Sequence, residues 1–314
     1  MHEAGLPRKA IAGDRPGLPI GALLAALAAN MALAFGPWLV RLSDVGPVAA
    51  GFWRLALAAP VLVAAGFVVG GGYRGARPLG LVIAVAGLAF AMDLATWHLG
   101  IRRTTLANAT LFGNSATLIF PIYGFLVARA WPSRTQGLAL LLAALGAALL
   151  LGRSYELSPR NLVGDLFCLT AGVLYAVYFV LMARARATLA PVPVLALSTL
   201  AGLVPLFLFA WLLGEQIWPS HWGPLLLLAV GSQLIGQGLM IYALGVLPPL
   251  VIGIALLTQP VVAGVIGWFA YGERLGTLDL AGAALVAVAL VLVRRQPVAK
   301  PAAEPRSDGE EREP

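Results

Sequence analysis

The sequence predicts an all-α polytopic membrane protein, from its composition and from the pattern of its apolar residues. Hydrophobic residues make up 60% of the 314 positions and charged residues only 11%, whereas about a quarter of the residues in a soluble globular chain are charged. Backbone polar groups in a bilayer must be satisfied internally, so only helices or a closed barrel can cross it. The apolar runs of this chain are continuous rather than alternating, which favours helices.

Ten apolar runs approach or exceed the length of about 20 residues that a helix needs to cross the hydrocarbon core. Breakers such as Gly70-Gly71-Gly72 and Pro248-Pro249 separate several of them. The ten predicted spans are residues 18–40, 47–69, 79–99, 104–127, 137–151, 162–183, 192–213, 223–244, 250–271 and 278–293.

The distribution of basic residues predicts the orientation of these spans. With both tails on one side, that side carries fourteen Lys and Arg and the opposite side six, so the positive-inside rule places both termini in the cytoplasm. The net charge of +7 is explained in this way, and no nucleic-acid partner is predicted. Residues 1–17 and 295–314 become cytoplasmic tails, the second of them disordered because it is rich in Pro, Glu and Arg. The predicted location is a plasma membrane, such as a bacterial inner membrane.

An internal repeat divides the chain into two halves of five spans, residues 18–152 and 162–294. An offset of 145 residues aligns Leu99-Gly100 with Leu244-Gly245, and it aligns Gly137 with Gly282. Because five is odd, the second half enters the membrane from the opposite face. Two inverted repeats around a central cavity are a recurrent architecture of secondary transporters, with the substrate site near mid-membrane.

Three short motifs give the chain a family resemblance. They are Phe52-Trp53-Arg54-Leu55, Gly164-Asp165-Leu166, and Gln259-Pro260 followed by Gly272-Glu273-Arg274. In their order and spacing the chain resembles the drug/metabolite transporter superfamily, of the ten-span EamA-like type. The resemblance implies export of small metabolites by alternating access of two inverted repeats. Within the superfamily the chain is most similar to exporters of aromatic and other neutral amino acids.

Polar residues inside the predicted spans are candidates for binding such a substrate, because they are costly in a bilayer and usually face the bundle interior. Asp93 and Trp97 share a helix face, and a carboxylate beside an indole suits a substrate ammonium. The resemblance implies that spans one, three, four, six, eight and nine line the cavity. The predicted substrate-binding residues are Asp93, Trp97, His98, Asn30, Asn114, Tyr175, Tyr178, Gln233, Gln237, Tyr242 and Gln259.

Other polar residues near span ends favour structural roles. Arg54 and Asp165 lie close to predicted helix ends, where snorkelling or capping accounts for them, and Glu273 lies at a loop edge. The listed amides and tyrosines would equally suit hydrogen bonds between helices.

The residue types also limit the alternatives to amino acid export. Transport of another metabolite or of a drug cation remains open, as does, less favourably, an intramembrane enzyme acting on lipids. Asp93 and His98 are the only candidates for such chemistry, and five residues apart on a helix they do not point at the same atom. The three histidines and one cysteine give no metal-ligand spacing. No cofactor, metal or catalytic residue is therefore predicted, and a monomer is plausible.

Overall fold

A computed structural model describes residues 19–69, 72–101, 103–104, 112–129, 131–152, 159, 161–271 and 276–294. These residues form helices joined by turns, and no strand occurs among them. The predicted all-helical fold is therefore confirmed. Both predicted tails and Glu273 lie outside the described residues.

The helices are numbered here in chain order. They are α1 (Ile20–Ala34), α2 (Gly36–Leu42), α3 (Pro47–Val68), α4 (Gly80–Ile101), α5 (Ala116–Ala128), α6 (Arg134–Gly152), α7 (Leu162–Arg186), α8 (Pro191–Leu212), α9 (Gly223–Leu228), α10 (Gly238–Leu244), α11 (Pro249–Leu256), α12 (Thr258–Tyr271) and α13 (Thr277–Arg294). A π-helical segment, Ala229–Gln237, joins α9 to α10.

Proline and glycine set several of these boundaries. Pro47, Pro191 and Pro249 begin α3, α8 and α11, where the missing N–H of proline costs no helical hydrogen bond. In the turn after α3, Gly75 has a φ of 82°, a backbone conformation that side chains with a Cβ rarely adopt. The chain therefore reverses there and enters α4.

Six helical stretches among the described residues are long and apolar enough to cross a membrane. They are Ile20–Leu42, Pro47–Val68, Arg77–Gly100, Leu162–Arg186, Pro191–Leu212 and Gly223–Leu244. These stretches correspond to predicted spans one, two, three, six, seven and eight. Two shorter apolar helices, Arg134–Leu149 and Leu280–Leu292, lie where spans five and ten were predicted. The structure thus describes a polytopic membrane protein with six full-length spans in its described part.

Several helices are interrupted, which continuous apolar runs did not predict. A turn at Phe35 separates α1 from α2, and a turn at Leu257 separates α11 from α12. Asn114 and Ser115 form a turn immediately before α5. Interrupted helices leave backbone groups free, and in membrane proteins they are tolerated where they are buried in protein or line a cavity.

The core of the bundle is built around α4, which packs against α7 and α8, while α3 packs on α8 and α6 on α13. Small residues permit these contacts. Gly87 of α4 leaves no room for a Cβ against the Ser198 carbonyl of α8, and Gly100 of α4 meets Cys168 of α7 in the same way. Close backbone approach at small residues is how helices associate in a bilayer.

The loop between α8 and α9 closes over the turn between α2 and α3. Asp44 accepts hydrogen bonds from the backbone N–H groups of Ser220 and His221, at 2.7 and 3.2 Å. Desolvation raises the pKa of Asp44, but these N–H donors outweigh it and leave that pKa below its usual value. Glu215 accepts from the N–H of Ala49 at 2.9 Å, in the first turn of α3.

Candidate functional site

The predicted residues of the third span lie in the second half of α4. Asp93 and Trp97 are half-buried, and His98 is 4% exposed. The rings of Trp97 and His98 lie 5.3 Å apart. Trp97 packs its indole against Gly113, where an added Cβ would come within 2.9 Å of the indole nitrogen. The Nδ1 atom of His98 is buried and has no hydrogen-bond partner among the described residues.

The snorkelling predicted for Arg54 is not observed. Arg54 lies seven residues after the start of α3, about 10 Å along the helix, and it is 8% exposed rather than snorkelling to the surface. Its Nε donates to Oε1 of Gln233 at 3.0 Å, and its Nη2 donates to the carbonyl of Ser232 at 3.4 Å. The guanidinium also lies 5.4 Å from the centre of the Phe90 ring. These hydrogen bonds and the ring contact stabilise the buried guanidinium charge inside the bundle.

The π-helical segment supplies the amides of this region. Gln233, besides accepting from Arg54, donates its Nε2 to the hydroxyl of Thr199 at 2.9 Å. Gln237 donates its Nε2 to the hydroxyl of Tyr175 at 3.3 Å, while its Oε1 is buried without a partner among the described residues. π-Helical turns are rare and occur frequently at functional sites. The wider turns let both glutamines, four residues apart, reach inward.

Aromatic rings form one wall beside these groups. Phe90 stacks on Tyr178 with ring centres 4.7 Å apart, and Tyr175 stacks on Tyr178 at 6.1 Å. Phe179 lies 4.3 Å from Tyr175. The predicted residues Tyr175 and Tyr178 of α7 are thereby brought together with the third span.

Arg54 and Asp93 place opposite charges in the same interior region. Arg54 interacts electrostatically with Tyr175, Tyr178 and Asp93. The Asp93 carboxylate nevertheless makes no hydrogen bond or ion pair within 4 Å to any other residue that the structure describes. Its electrostatic neighbours Arg54 and Tyr178 are buried in the bundle. An ionisable residue inside a membrane helix bundle is a candidate functional residue.

A second polar contact joins two interrupted helices. Gln259, in the first turn of α12 just after the turn at Leu257, donates its Nε2 to Oδ1 of Asn30 at 2.7 Å. Asn30 is fully buried in α1 and donates its Nδ2 to the carbonyl of Ala26 at 2.8 Å. Asn114 lies in the turn before α5 and is half-buried.

Two further residues lie apart from these clusters. Tyr242 is 41% exposed and interacts electrostatically with Arg186 near the end of α7. Asp165, in the first turn of α7, accepts a hydrogen bond from the Thr104 hydroxyl at 2.5 Å. No group of three or more His, Cys, Asp or Glu that could hold a metal occurs in the described part of the chain.

Sequence reasoning missed the partnership of Arg54, Thr199 and Ser232. One signal for it was available, since Arg54 and Thr199 are 145 residues apart, which is the repeat offset, and both bind Gln233. No repeat offset or other sequence pattern indicates that Arg54 contacts the Ser232 carbonyl and the Phe90 ring.

Apolar helices, interrupted spans and an interior cluster of charged, amide and aromatic groups define this protein as a polytopic membrane transporter. Comparison with known proteins agrees. The chain belongs to the EamA-like transporter family, whose sequence profile matches residues 19–152 and again residues 162–295. The predicted family is confirmed, and the family is one of transporters rather than enzymes.

Several relatives and one solved structure are similar to parts of the chain. The threonine/homoserine exporter RhtA of Salmonella typhimurium is 32% identical over 167 residues, which cover 51% of this chain and 56% of that protein. RhtA of Escherichia coli strain K12 is 33% identical over 143 residues, covering 45% and 48%. An uncharacterized transporter of Archaeoglobus fulgidus is 28% identical over 211 residues, covering 65% and 73%.

The chain thus spans about half the length of the RhtA proteins that it matches. A crystal structure with 18% sequence identity superposes with a TM-score of 0.72 and covers 87% of this chain and 96% of its own. At that identity it shows the fold alone.

Proposed function

We propose that this protein exports neutral amino acids, and that it binds the zwitterionic backbone of its substrate between Arg54 and Asp93. The observation that carries the proposal is the pair of opposite charges held inside the bundle without a direct ion pair between them. A zwitterion supplies the missing countercharge to each. The similarity to threonine/homoserine exporters supports the same class of substrate.

Arg54 has donors left for a substrate carboxylate. Its Nε and Nη2 bind Gln233 and the Ser232 carbonyl, and both partners are neutral. A guanidinium has five N–H donors in a planar fork that matches a carboxylate. Gln233 and Ser232 hold the guanidinium in place, and its remaining donors bind the carboxylate. A drug cation, the alternative substrate, would be repelled by Arg54.

The side chain of the substrate lies against the remaining polar and aromatic groups in this proposal. The unpartnered Oε1 of Gln237 is an acceptor for a hydroxyl, such as that of threonine or homoserine. Trp97, with His98 beside it, limits the size of the side chain, and aromatic amino acids are the second candidate class. In this proposal, Asn30, Asn114 and Gln259 stabilise the interrupted helices. Tyr242 lies outside the proposed substrate site.

Alternating access needs two halves that can exchange roles, and several features support ten spans in two inverted repeats. Pro60 and Pro205 are 145 residues apart and lie inside α3 and α8, each of 22 residues. The turn at Leu257 and that at Asn114 and Ser115 interrupt the ninth and fourth predicted spans, which the repeat also pairs. Interrupted helices at equivalent places in two halves point to the binding site of a secondary transporter.

The proposed orientation has both termini in the cytoplasm of a bacterial inner membrane. Single cysteines at Ser43 and Ser133, in a Cys168→Ser background, test it with a membrane-impermeant thiol reagent on intact cells. We expect labelling at position 43 and none at position 133 until the cells are opened. The reverse pattern would contradict the proposed orientation.

Gln237→Leu tests the role of the unpartnered amide. A neutral hydrogen bond is worth about 0.5–1.5 kcal/mol, so we expect the variant to lose about twofold to tenfold of its apparent affinity for threonine. Valine, which replaces the hydroxyl by a methyl group, should be transported as by the wild type. Competition assays in proteoliposomes measure both. An equal loss for threonine and valine would contradict recognition of the hydroxyl.

A further inference from the structure

A groove of about 650 Å³ runs along the membrane-facing surface between α3 and α8. Its walls are apolar, with Ala56, Pro60, Val63 and Phe67 on α3 and Leu200 and Leu203 on α8. The small side chains of its alanines leave space between the helices, and the rings of Phe52 and Phe67 lie at its two ends. Such a surface groove on membrane-spanning helices suits a hydrocarbon chain better than water.

The dimensions of the groove suit an acyl chain. From Phe52 to Phe67, both of which line it, the helix rises about 22 Å at 1.5 Å per residue. One leaflet contributes about 15 Å of hydrocarbon to a bilayer core. The groove is therefore longer than the hydrocarbon region of one leaflet. An acyl chain that enters at the Phe67 end can lie within the groove over the whole length of the acyl chain.

The two ends of the groove differ in charge. At the Phe67 end, Tyr73 packs its ring 4.9 Å from that of Phe67 and donates its hydroxyl to the carbonyl of Val63 at 2.9 Å. This anchors the turn after α3, which carries the exposed residues Arg74 and Arg77. Residues 69–80 contain no acidic residue.

At the other end, the ring of Phe52 lies 5.4 Å from that of Phe207 and closes the groove. The loops beyond it carry the carboxylates of Asp44 and Glu215. Arg41, in the last turn of α2, adds one positive charge to that end. A negatively charged headgroup is therefore favoured at the first end, where Arg74 and Arg77 have no carboxylate beside them in the same turn. Basic residues beside a gap between membrane helices are typical of sites for anionic lipids.

We propose that an anionic phospholipid binds here, with one acyl chain in the groove between α3 and α8 and its headgroup phosphate at Arg74 and Arg77. The site is separate from the polar cluster around Arg54, and it does not depend on which substrate is transported. Bound lipid would hold α3 against α8, which come from the two halves of the chain.

The test is lipid binding to the purified, monodisperse protein, measured by native mass spectrometry with phosphatidylglycerol and phosphatidylcholine of the same chain length. We expect the wild type to prefer phosphatidylglycerol. A basic residue near an anionic lipid surface contributes about a fivefold gain, so the double variant R74Q/R77Q should bind phosphatidylglycerol about 30-fold more weakly and phosphatidylcholine unchanged. The matched control, Arg134→Gln, removes the exposed arginine at the start of α6 and should change neither.

A second pair of variants tests the groove itself. Ala64→Trp fills the groove, whereas Val61→Trp adds the same bulk to an exposed position of α3 that does not line it. We expect Ala64→Trp to weaken the binding of both lipids and Val61→Trp to leave it unchanged. Equal binding of the two lipids by the wild type would overturn the headgroup site. A change of oligomeric state in Ala64→Trp, with lipid binding intact, would show that a second copy of the chain fills the groove instead.

Discussion

Replacing Arg54 by glutamine is expected to lower the transport of neutral amino acids by about tenfold to a hundredfold. A hydrogen bond to a charged group contributes about 1.5–3 kcal/mol, and the variant loses such bonds to the substrate carboxylate. Glutamine keeps a polar side chain near Gln233, so the loss should fall on transport more than on folding. Initial rates of labelled threonine uptake into proteoliposomes measure the effect.

Two companion variants separate substrate binding from support of the helix bundle. Thr199→Val removes the other partner of Gln233 but leaves Arg54 in place, so its transport should fall far less than that of Arg54→Gln. Arg54→Lys keeps the charge without the planar fork and should lie between the two. A monodisperse Arg54→Gln protein that transports threonine within threefold of the wild type would remove Arg54 from the site.

Replacing Asp93 by asparagine is the second change with a large expected effect. The substitution keeps the shape and removes the charge that is proposed to hold the substrate ammonium. We expect about a tenfold to hundredfold weaker apparent affinity for threonine, from the same 1.5–3 kcal/mol of a charged hydrogen bond. Competition by unlabelled threonine against labelled threonine measures it.

A substrate analogue makes this test specific to the ammonium group. The 2-hydroxy acid that corresponds to threonine lacks the amino group, so the wild type should bind it far more weakly than threonine. In Asp93→Asn the two compounds should compete almost equally. If the variant weakens both compounds by the same factor, Asp93 supports the bundle and does not bind the ammonium.

The helical class, the family and most span positions could be predicted from the sequence, because continuous apolar runs have few solutions in a bilayer. The interruptions at Phe35 and Leu257 could not, since both lie within apolar stretches where hydropathy does not change. The π-helical segment Ala229–Gln237 was equally hidden. Its amides hydrogen-bond to residues of α3, α7 and α8, and no pattern within one helix indicates those partners.

The candidate site was predicted in part for the same reason. Helical spacing could group residues of one helix, such as Asp93 with Trp97, and it could not say which residues of different helices meet. Distance from a helix end suggested snorkelling for Arg54, but the decisive factor was Gln233, 179 residues away, which binds the guanidinium. The roles assigned to these side chains stay predictions.

Counterflow of labelled threonine in proteoliposomes tests the central claim most directly. Vesicles with the purified protein are loaded with unlabelled threonine, and entry of external label is followed in the presence of competitors. The account predicts accumulation of label, competition by homoserine and other neutral amino acids, and no competition by cations that lack a carboxylate. It also predicts that Arg54→Gln and Asp93→Asn each abolish most of the signal. Absence of counterflow with every neutral amino acid, or equal competition by a carboxylate-free cation, would contradict a zwitterion site between Arg54 and Asp93.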